Sequence, residues 1–518
     1  MNIQALSSRR RHVIYVAALA SMFMAVLDMQ IVATALPTIA DDLGNLDLFG
    51  WVGASYLLAT AAVTPFYGKL GDLFGRKTIS ITAIIIFTIG SLACGLAWSM
   101  ESLIVARILQ GLGGGGLMTT AFAIIADLFE PRERAKYQGY STIVFTLASL
   151  TGPASGGLIA QSIGWEYVFL INLPIGIAVA AVLALAMPST LSTKRPAIDY
   201  LGGLLLAVSV TAIVYWTEEA VSGSLPMSLF IGLPIVAVLA LVGFVLAEMK
   251  AEEPILPLSL FTNRTIALSL AISVVVGVCT LGLLNYFALF LQTVTGLPPA
   301  YAGLLFIAPS TGSLIASVTS GIIVSRTGRY KIFPVIAMAL GTVTLILFSQ
   351  VSAATPVWLI APLMFFFASG IGLQMQTLMT AIQNAAPHHH VGAATGAINL
   401  ARMIGASFGL AVNGGLLNAG LGYFQARLPQ DVAASLPAPV KEMTPEAMQA
   451  LPHDVYMMVV DVFTNAFGWV YDFGAILFAL SFVLALLLKD VRLPVHEKAD
   501  PLDSVETTNA TPAPALGE

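Results

Sequence analysis

Fourteen apolar stretches, each near the ~20 residues that a helix needs to cross a bilayer, recur along this 518-residue chain. They fall at 13–36, 49–67, 78–98, 102–126, 138–160, 166–187, 199–217, 227–247, 266–292, 301–324, 332–350, 356–380, 394–416 and 466–488. A polar insert (417–463) and a polar tail (491–518) interrupt or follow them. What remains is about 31 residues per stretch, the length of one spanning helix and a short connection. Of the residues, 57% are hydrophobic and only 10% charged, whereas a water-facing surface needs roughly 25–35% charged residues. The chain therefore reads as an all-α polytopic membrane protein. The same numbers set aside a soluble enzyme, a secreted disulfide scaffold and a nucleic-acid binder. Cys94 and Cys279 lie inside apolar runs and read as small packing residues, not as a disulfide or metal ligands.

Arg9, Arg10 and Arg11 precede the first stretch as they would precede a signal peptide, but its apolar pattern continues to Ala35. Cleavage near Ala20 would remove half a span, so the segment reads as a retained helix. Basic residues collect in alternate loops: Lys69/Arg76/Lys77, Arg132/Arg134/Lys136, Lys194/Arg195, Lys250/Arg264, Arg326/Arg329/Lys331 and Lys489/Arg492. Asp41, Asp42, Asp47, Glu101, Glu218 and Glu219 mark the opposite short loops. By the positive-inside rule both termini are expected in the cytoplasm. The expected location is a cytoplasmic (inner or plasma) membrane, taken as bacterial, and Asn263 and Asn509 then read as unglycosylated.

The chain repeats itself. Gly68–Lys77 (GKLGDLFGRK) and Gly321–Lys331 (GIIVSRTGRYK) share G-x6-G-R at an offset of 253 residues. Pro131–Gly139 and Pro387–Gly396 correspond at an offset of 256. Two matches at nearly one offset indicate two homologous halves of six spans. The expected organisation is a bundle at 1–190, two extra helices at 191–260 and a second bundle at 261–490. The second bundle carries an extracytoplasmic insert at 417–463, and a disordered cytoplasmic tail follows at 491–518.

Several motifs carry chemistry. Gly68, Asp72, Gly75 and Arg76 form a tight basic loop between spans 2 and 3. Asp28 is an acid inside span 1, and an ionisable group at membrane depth is a functional candidate by default. Arg107 is a cation inside span 4 that needs a partner. Gly111, Gly113 and Gly116 spell G-x-G-x-x-G, but without a preceding strand they read as helix packing rather than nucleotide binding. Pro153 bends span 5 between Gly152 and Gly156, a small-residue face expected to pack on the opposite bundle and seal the pathway. Asn285 and Gln292 share a face of span 9, Gln374 and Thr377 one of span 12. With Gln30 and Asp28, the amides Asn285, Gln292 and Gln374 are the expected substrate contacts in an otherwise apolar cavity. Arg402 in span 13 suits pairing or function equally. The His388–His390 run lacks metal-site spacing.

The two six-span halves, the G-x-L-x-D-x-x-G-R-K loop at Gly68–Lys77, R-x-x-Q-G-x-G at Arg107–Gly113 and G-P-x-x-G-G at Gly152–Gly157 resemble the major facilitator superfamily. L-D-x-Q-I-V-A-x-A-L-P at Leu27–Pro37 is similar to the first-span signature of its fourteen-span drug:proton antiporters, the QacA/EmrB-like branch. Gln30 and Ala33 depart from that branch's usual Thr and Asn, and Glu166 replaces an Arg after Trp165. The resemblance implies two six-helix bundles plus two inserted helices. It implies a proton-coupled antiporter that exports lipophilic drugs, cationic ones among them, by alternating access. Asp28 and Arg107 would carry the proton coupling, the Gly68–Arg76 loop would latch the bundles on the cytoplasmic side, and Gly152–Gly156 would mark antiport. No cofactor beyond the proton gradient is implied; the partners are a small molecule, protons and lipid, with a monomer as the working unit. With no acid in spans 9–13, multivalent cations are expected to be poor substrates. Export of a specific metabolite, lipid or siderophore-like compound is the alternative, followed by a non-transporting receptor.

Overall fold

The computed structural model describes residues 6–44, 48–188, 199–222, 226–443 and 445–493. Its long helices are α1 (Ser8–Leu43), α2 (Phe49–Phe74), α3 (Arg76–Gly95), α4 (Met100–Leu128), α5 (Pro131–Ser162) and α6, which is broken into Glu166–Leu170 and Asn172–Ala186. They continue as α7 (Tyr200–Ser222), α8 (Met227–Glu248), α9 (Arg264–Thr293), α10 (Ile307–Thr327), α11 (Ile332–Phe348), α12 (Val357–Ala385), α13 (Val391–Gln425) and α14 (His453–Leu486). No strand occurs among the described residues. Eleven helices in that set are long and apolar enough to cross a membrane. The other three are α2, diluted by Ser55, Tyr56, Thr60, Thr64 and Tyr67, the 17-residue α11, and α9, whose described apolar part is Arg264–Thr280.

Local sequence sets the helix ends. Ser99 and Ser102 cap α4 reciprocally, each backbone N–H donating to the other's hydroxyl at 3.0 and 3.2 Å, so two orphan donors are satisfied. Pro131 opens α5, where its missing N–H costs nothing. Pro37, Pro65, Pro153, Pro234 and Pro362 lie inside helices, as neighbouring helices in a membrane bundle permit.

Helices α1–α6 form one bundle and α9–α14 the other. In the first, α4 is wedged between α2 and α3 by its glycines. An added methyl would strike Tyr56 O on α2 from Gly111, the Phe87 backbone on α3 from Gly113, and Thr60 O from Gly115. The G-x-G-x-x-G run is thus a packing surface. The bundles meet where α5 lies on α10 and α2 on α13.

The inserted pair is not wholly detached. Helix α7 packs on both α2 and α13, with Tyr215 against Trp51 at a ring separation of 5.3 Å. After α8, the Glu248 carboxylate accepts the backbone N–H groups of Ile255 and Leu256 at 2.9 and 3.2 Å. That turn places Glu253 2.7 Å from the Lys69 ammonium on α2. Helix α8 leaves Ile235, Val238, Leu239 and Leu246 exposed, an apolar face of the kind that lipid covers.

The polar segment 417–463 is partly helical. Helix α13 runs to Gln425 and α14 starts at His453. Between them, Val440, Met443 and Met448 are buried, and Gln425 accepts the Val440 N–H at 3.1 Å. Of the tail, residues 491–493 are described: Leu493 donates to Gly328 O at 2.9 Å and accepts from Arg132 Nε at 2.8 Å. The rest of the tail, and Lys194 and Arg195, lie outside the described residues.

Candidate functional site

Asp28 stands on α1 with 1% of its surface exposed. Arg107 on α4 donates from Nη1 to Asp28 Oδ2 at 2.6 Å. Gln110, three residues further on the same face of α4, donates to Asp28 Oδ1 at 2.8 Å, and Asn172 on α6 donates to the same oxygen at 2.9 Å. Arg107 Nη1 also reaches Gln110 Oε1 at 2.6 Å, and its Nε reaches Val52 O on α2 at 3.1 Å. The guanidinium lies 4.2 Å from the centre of the Tyr56 ring. Ser91 on α3 accepts from both amides, at 3.1 and 3.0 Å, and donates to Phe169 O at 2.8 Å.

Five helices thus contribute to one hydrogen-bond network, in which α4 and α6 supply the donors that reach the carboxylate on α1. A charge taken out of water is tolerated only when an opposite charge and further donors replace its hydration; here one guanidinium and two amides do so. The same arrangement leaves neither Asp28 oxygen free to meet a ligand in this conformation. Gln110, Ser91 and Asn172 were not among the site residues expected from sequence. The R-x-x-Q spacing was a usable signal for Gln110, and an Asn inside an apolar stretch one for Asn172. Ser91 carries no such mark.

The other candidates lie apart. Gln30 is half-buried, and an added methyl on Gly152 would overlap its Cβ. Gln292 is half-buried near the end of α9; the Asn285 side chain lies outside the described set. Gln374 is fully buried on α12 in the second bundle, and neither atom of its amide has a hydrogen-bond partner. Asp28 and Gln374 therefore belong to opposite bundles, and no hydrogen bond joins them.

The expectation for Gly152 and Gly156 is corrected. A methyl on Gly156 would overlap Thr34 Oγ1 and Ile31 O, so both glycines face α1 of their own bundle. Other residues make the inter-bundle approach: added methyls on Gly139 and Gly321 would press on Ser317 O and Ala135 O at 2.9 and 2.5 Å. Around them Gln138 donates to Gln383 at 2.6 Å and accepts from Thr380 at 2.6 Å. Thr142 and Ser317 hydroxyls lie 2.7 Å apart.

At the same end of the molecule, Asp72 accepts the N–H groups of Gly392 and Ala393 at 3.0 and 2.8 Å. These are orphan donors in the first turn of α13, where the helix dipole favours an anion. Arg76 pairs with Asp72, and its Nε lies 3.3 Å from Asp127. Gly75 turns the chain with φ 90°, a conformation open to glycine. A methyl on Gly68 would overlap Gly392 O. The loop of the first bundle is thereby hydrogen-bonded to the second, and the end bearing the repeated basic loops is closed.

Comparison with known proteins agrees with this architecture. The family model described as Major Facilitator Superfamily matches residues 18–410. An uncharacterized MFS-type transporter of Mycobacterium tuberculosis (strain ATCC 25618 / H37Rv) is 36% identical over 500 residues, which cover 96% of this chain and 72% of that protein. The multidrug transporter protein MdtP of Bacillus subtilis (strain 168) is 30% identical, covering 96% of each chain. Among solved structures, the proton:xylose symporter XylE superposes with a TM-score of 0.62 at 15% identity, over 94% of this chain and 97% of that one; at that identity the likeness concerns the fold. From its two helical bundles and its matched sequence, this chain is a multi-pass membrane protein that belongs to the Major Facilitator Superfamily, a class of non-enzymatic transporters.

Proposed function

We propose that this protein is a fourteen-span, proton-coupled exporter of lipophilic small molecules, of the QacA/EmrB-like branch. It works by alternating access across the cytoplasmic membrane with both termini inside. The observation that carries this reading is the sealed Asp28–Arg107 pair, 2.6 Å apart, on helices that belong to one bundle. It is supported by the multidrug transporter at 30% identity.

Protonation of Asp28 removes the charge that Arg107 answers. Arg107, Gln110 and Asn172 must then find new partners, and α1, α4 and α6 readjust together. Disrupting a buried pair costs about 3–5 kcal/mol. At an assumed ~150 mV, one charge crossing the membrane supplies roughly 3.5 kcal/mol. The two are of one order, so a single proton suffices to bias the helices between arrangements. The Asp72–Gly392 contact then serves as the cytoplasmic closure that must open for substrate to enter from inside.

The test is flux in proteoliposomes with an imposed pH gradient. Wild-type protein should move a lipophilic dye against the proton flow, and Asp28→Asn should not. Wild-type accumulation of dye in the direction of proton flow would end the exporter reading, and full activity of Asp28→Asn would end the coupling role.

A further inference from the structure

Arg402 is the second guanidinium placed deep in a helix, and it has no acid to answer it. It sits eleven residues past Val391, about 17 Å along α13. The chain contains no Asp or Glu from Pro254 to Gln430, so α9 to α13 cannot supply a counter-ion. The acids of α14, Asp454, Asp461 and Asp472, are exposed, and no carboxylate among the described residues lies within salt-bridge reach of Arg402. Asp28 is already bound to Arg107. What Arg402 does have is one carbonyl: Nη2 donates to Met375 O on α12 at 2.5 Å. Its Nε is buried without a partner.

Its surroundings place it at the seam between the bundles. Asn399, one turn earlier on the same face, reaches Thr119 Oγ1 of α4 at 3.5 Å. The adjacent Met403 places its sulfur 3.8 Å from Thr64 Oγ1 of α2. The residue before Met375 is Gln374, fully buried with both amide atoms unpartnered. A membrane protein keeps an unanswered cation and an unsatisfied amide at depth only at considerable cost, and such groups mark ligand pathways.

We propose that Arg402 and Gln374 form an anion subsite, and that the transported molecules include amphipathic organic carboxylates. The inference deepens the exporter reading and rests on it for the direction of movement, but not for the binding itself. A planar carboxylate would take the free edge of the Arg402 guanidinium, with the Gln374 amide as a further donor. Asp28, which a cationic substrate would need, is occupied. The substrate preference is therefore set by a positive group in the second bundle, and proton coupling by a neutral pair in the first.

The experiment is equilibrium binding to purified wild-type protein in detergent, with no gradient, of three probes of one shape: naphthylacetate, naphthylacetamide and naphthylethylammonium. The carboxylate should bind at least about tenfold more tightly than the other two, one charge-assisted contact's worth. Arg402→Gln should bring the carboxylate down to the level of the amide, Arg402→Lys should keep part of the preference, and Gln374→Leu should weaken the carboxylate severalfold. A wild-type protein that binds the carboxylate no better than the amide overturns the proposal without recourse to any variant. So does a preference unchanged in Arg402→Gln. Failure of pH-driven flux, by contrast, removes the exporter reading and leaves this binding result standing.

Discussion

Arg107 Nη1 and Asp28 Oδ2 lie 2.6 Å apart, joining α4 to α1 in a place where each residue is at most 2% exposed. The pair is completed by amides from α4 and α6, so that each charge depends on the other for its solvation. That mutual dependence is what a transporter can use. A group that is stable only while its partner stays charged turns the arrival of a proton into a mechanical event.

A double-mutant cycle should expose this dependence. Asp28→Asn and Arg107→Gln are each expected to destabilise the protein by about 3–5 kcal/mol, because either leaves one buried charge unanswered. The double variant should lose clearly less than the sum of the two. Thermal unfolding in detergent checks it; strictly additive losses would mean that the two side chains are energetically independent.

The basic-end closure should be set by a backbone contact that no side chain can replace. Gly392→Val places a branched side chain where Gly68 O, Asp72 and Arg76 now lie. We expect it to hold that end open. Spin labels on Tyr137 and Gln376, in the helices that meet there, should report a longer distance in the variant than in wild type. An unchanged distance distribution would show that the closure does not depend on this approach.

Gly156→Leu should act through α1. The added side chain meets Ile31 O, three residues from Asp28, and overpacking of this kind costs typically about 1–3 kcal/mol. The expected result is loss of proton-coupled flux with near-normal equilibrium binding of the carboxylate probe, since Arg402 and Gln374 are in the other bundle. Flux at the wild-type rate would remove this glycine from the coupling machinery.

Gly321→Leu should behave differently. Gly321 faces Ala135 O across the bundle interface, so its substitution is expected to weaken closure of the basic end while leaving the α1–α4 ion pair intact. Solvent accessibility of an introduced Ser317→Cys, measured by maleimide labelling in membranes, should rise at least severalfold. Equal labelling in both backgrounds would contradict the contact.

The sequence by itself determined that this chain lies in a membrane, because apolar runs of spanning length and a charge content of 10% admit no other solvent. It determined the two halves through the repeated basic loops, and it singled out Asp28, Arg107, Asp72 and Arg76, because an ionisable group in or beside an apolar helix is costly enough to be conspicuous. The R-x-x-Q motif carried Gln110 three residues past Arg107, a spacing that puts both on one helix face, but its bond to Asp28 was not legible from it. Only the tertiary structure decided who answers whom. Asn172 reaches Asp28 through the packing of α6 on α1, and Ser91 on α3 holds the Asn172 amide in turn, contacts 144 and 81 positions apart in the chain, which spacing along one helix cannot encode. The same holds for the glycines. Sequence marks a face on which something can approach closely, but Gly152 and Gly156 turned out to receive α1 while Gly139 and Gly321 receive the opposite bundle. A missing side chain specifies room for a neighbour, and the rotation of whole helices in the bundle specifies which neighbour fills it.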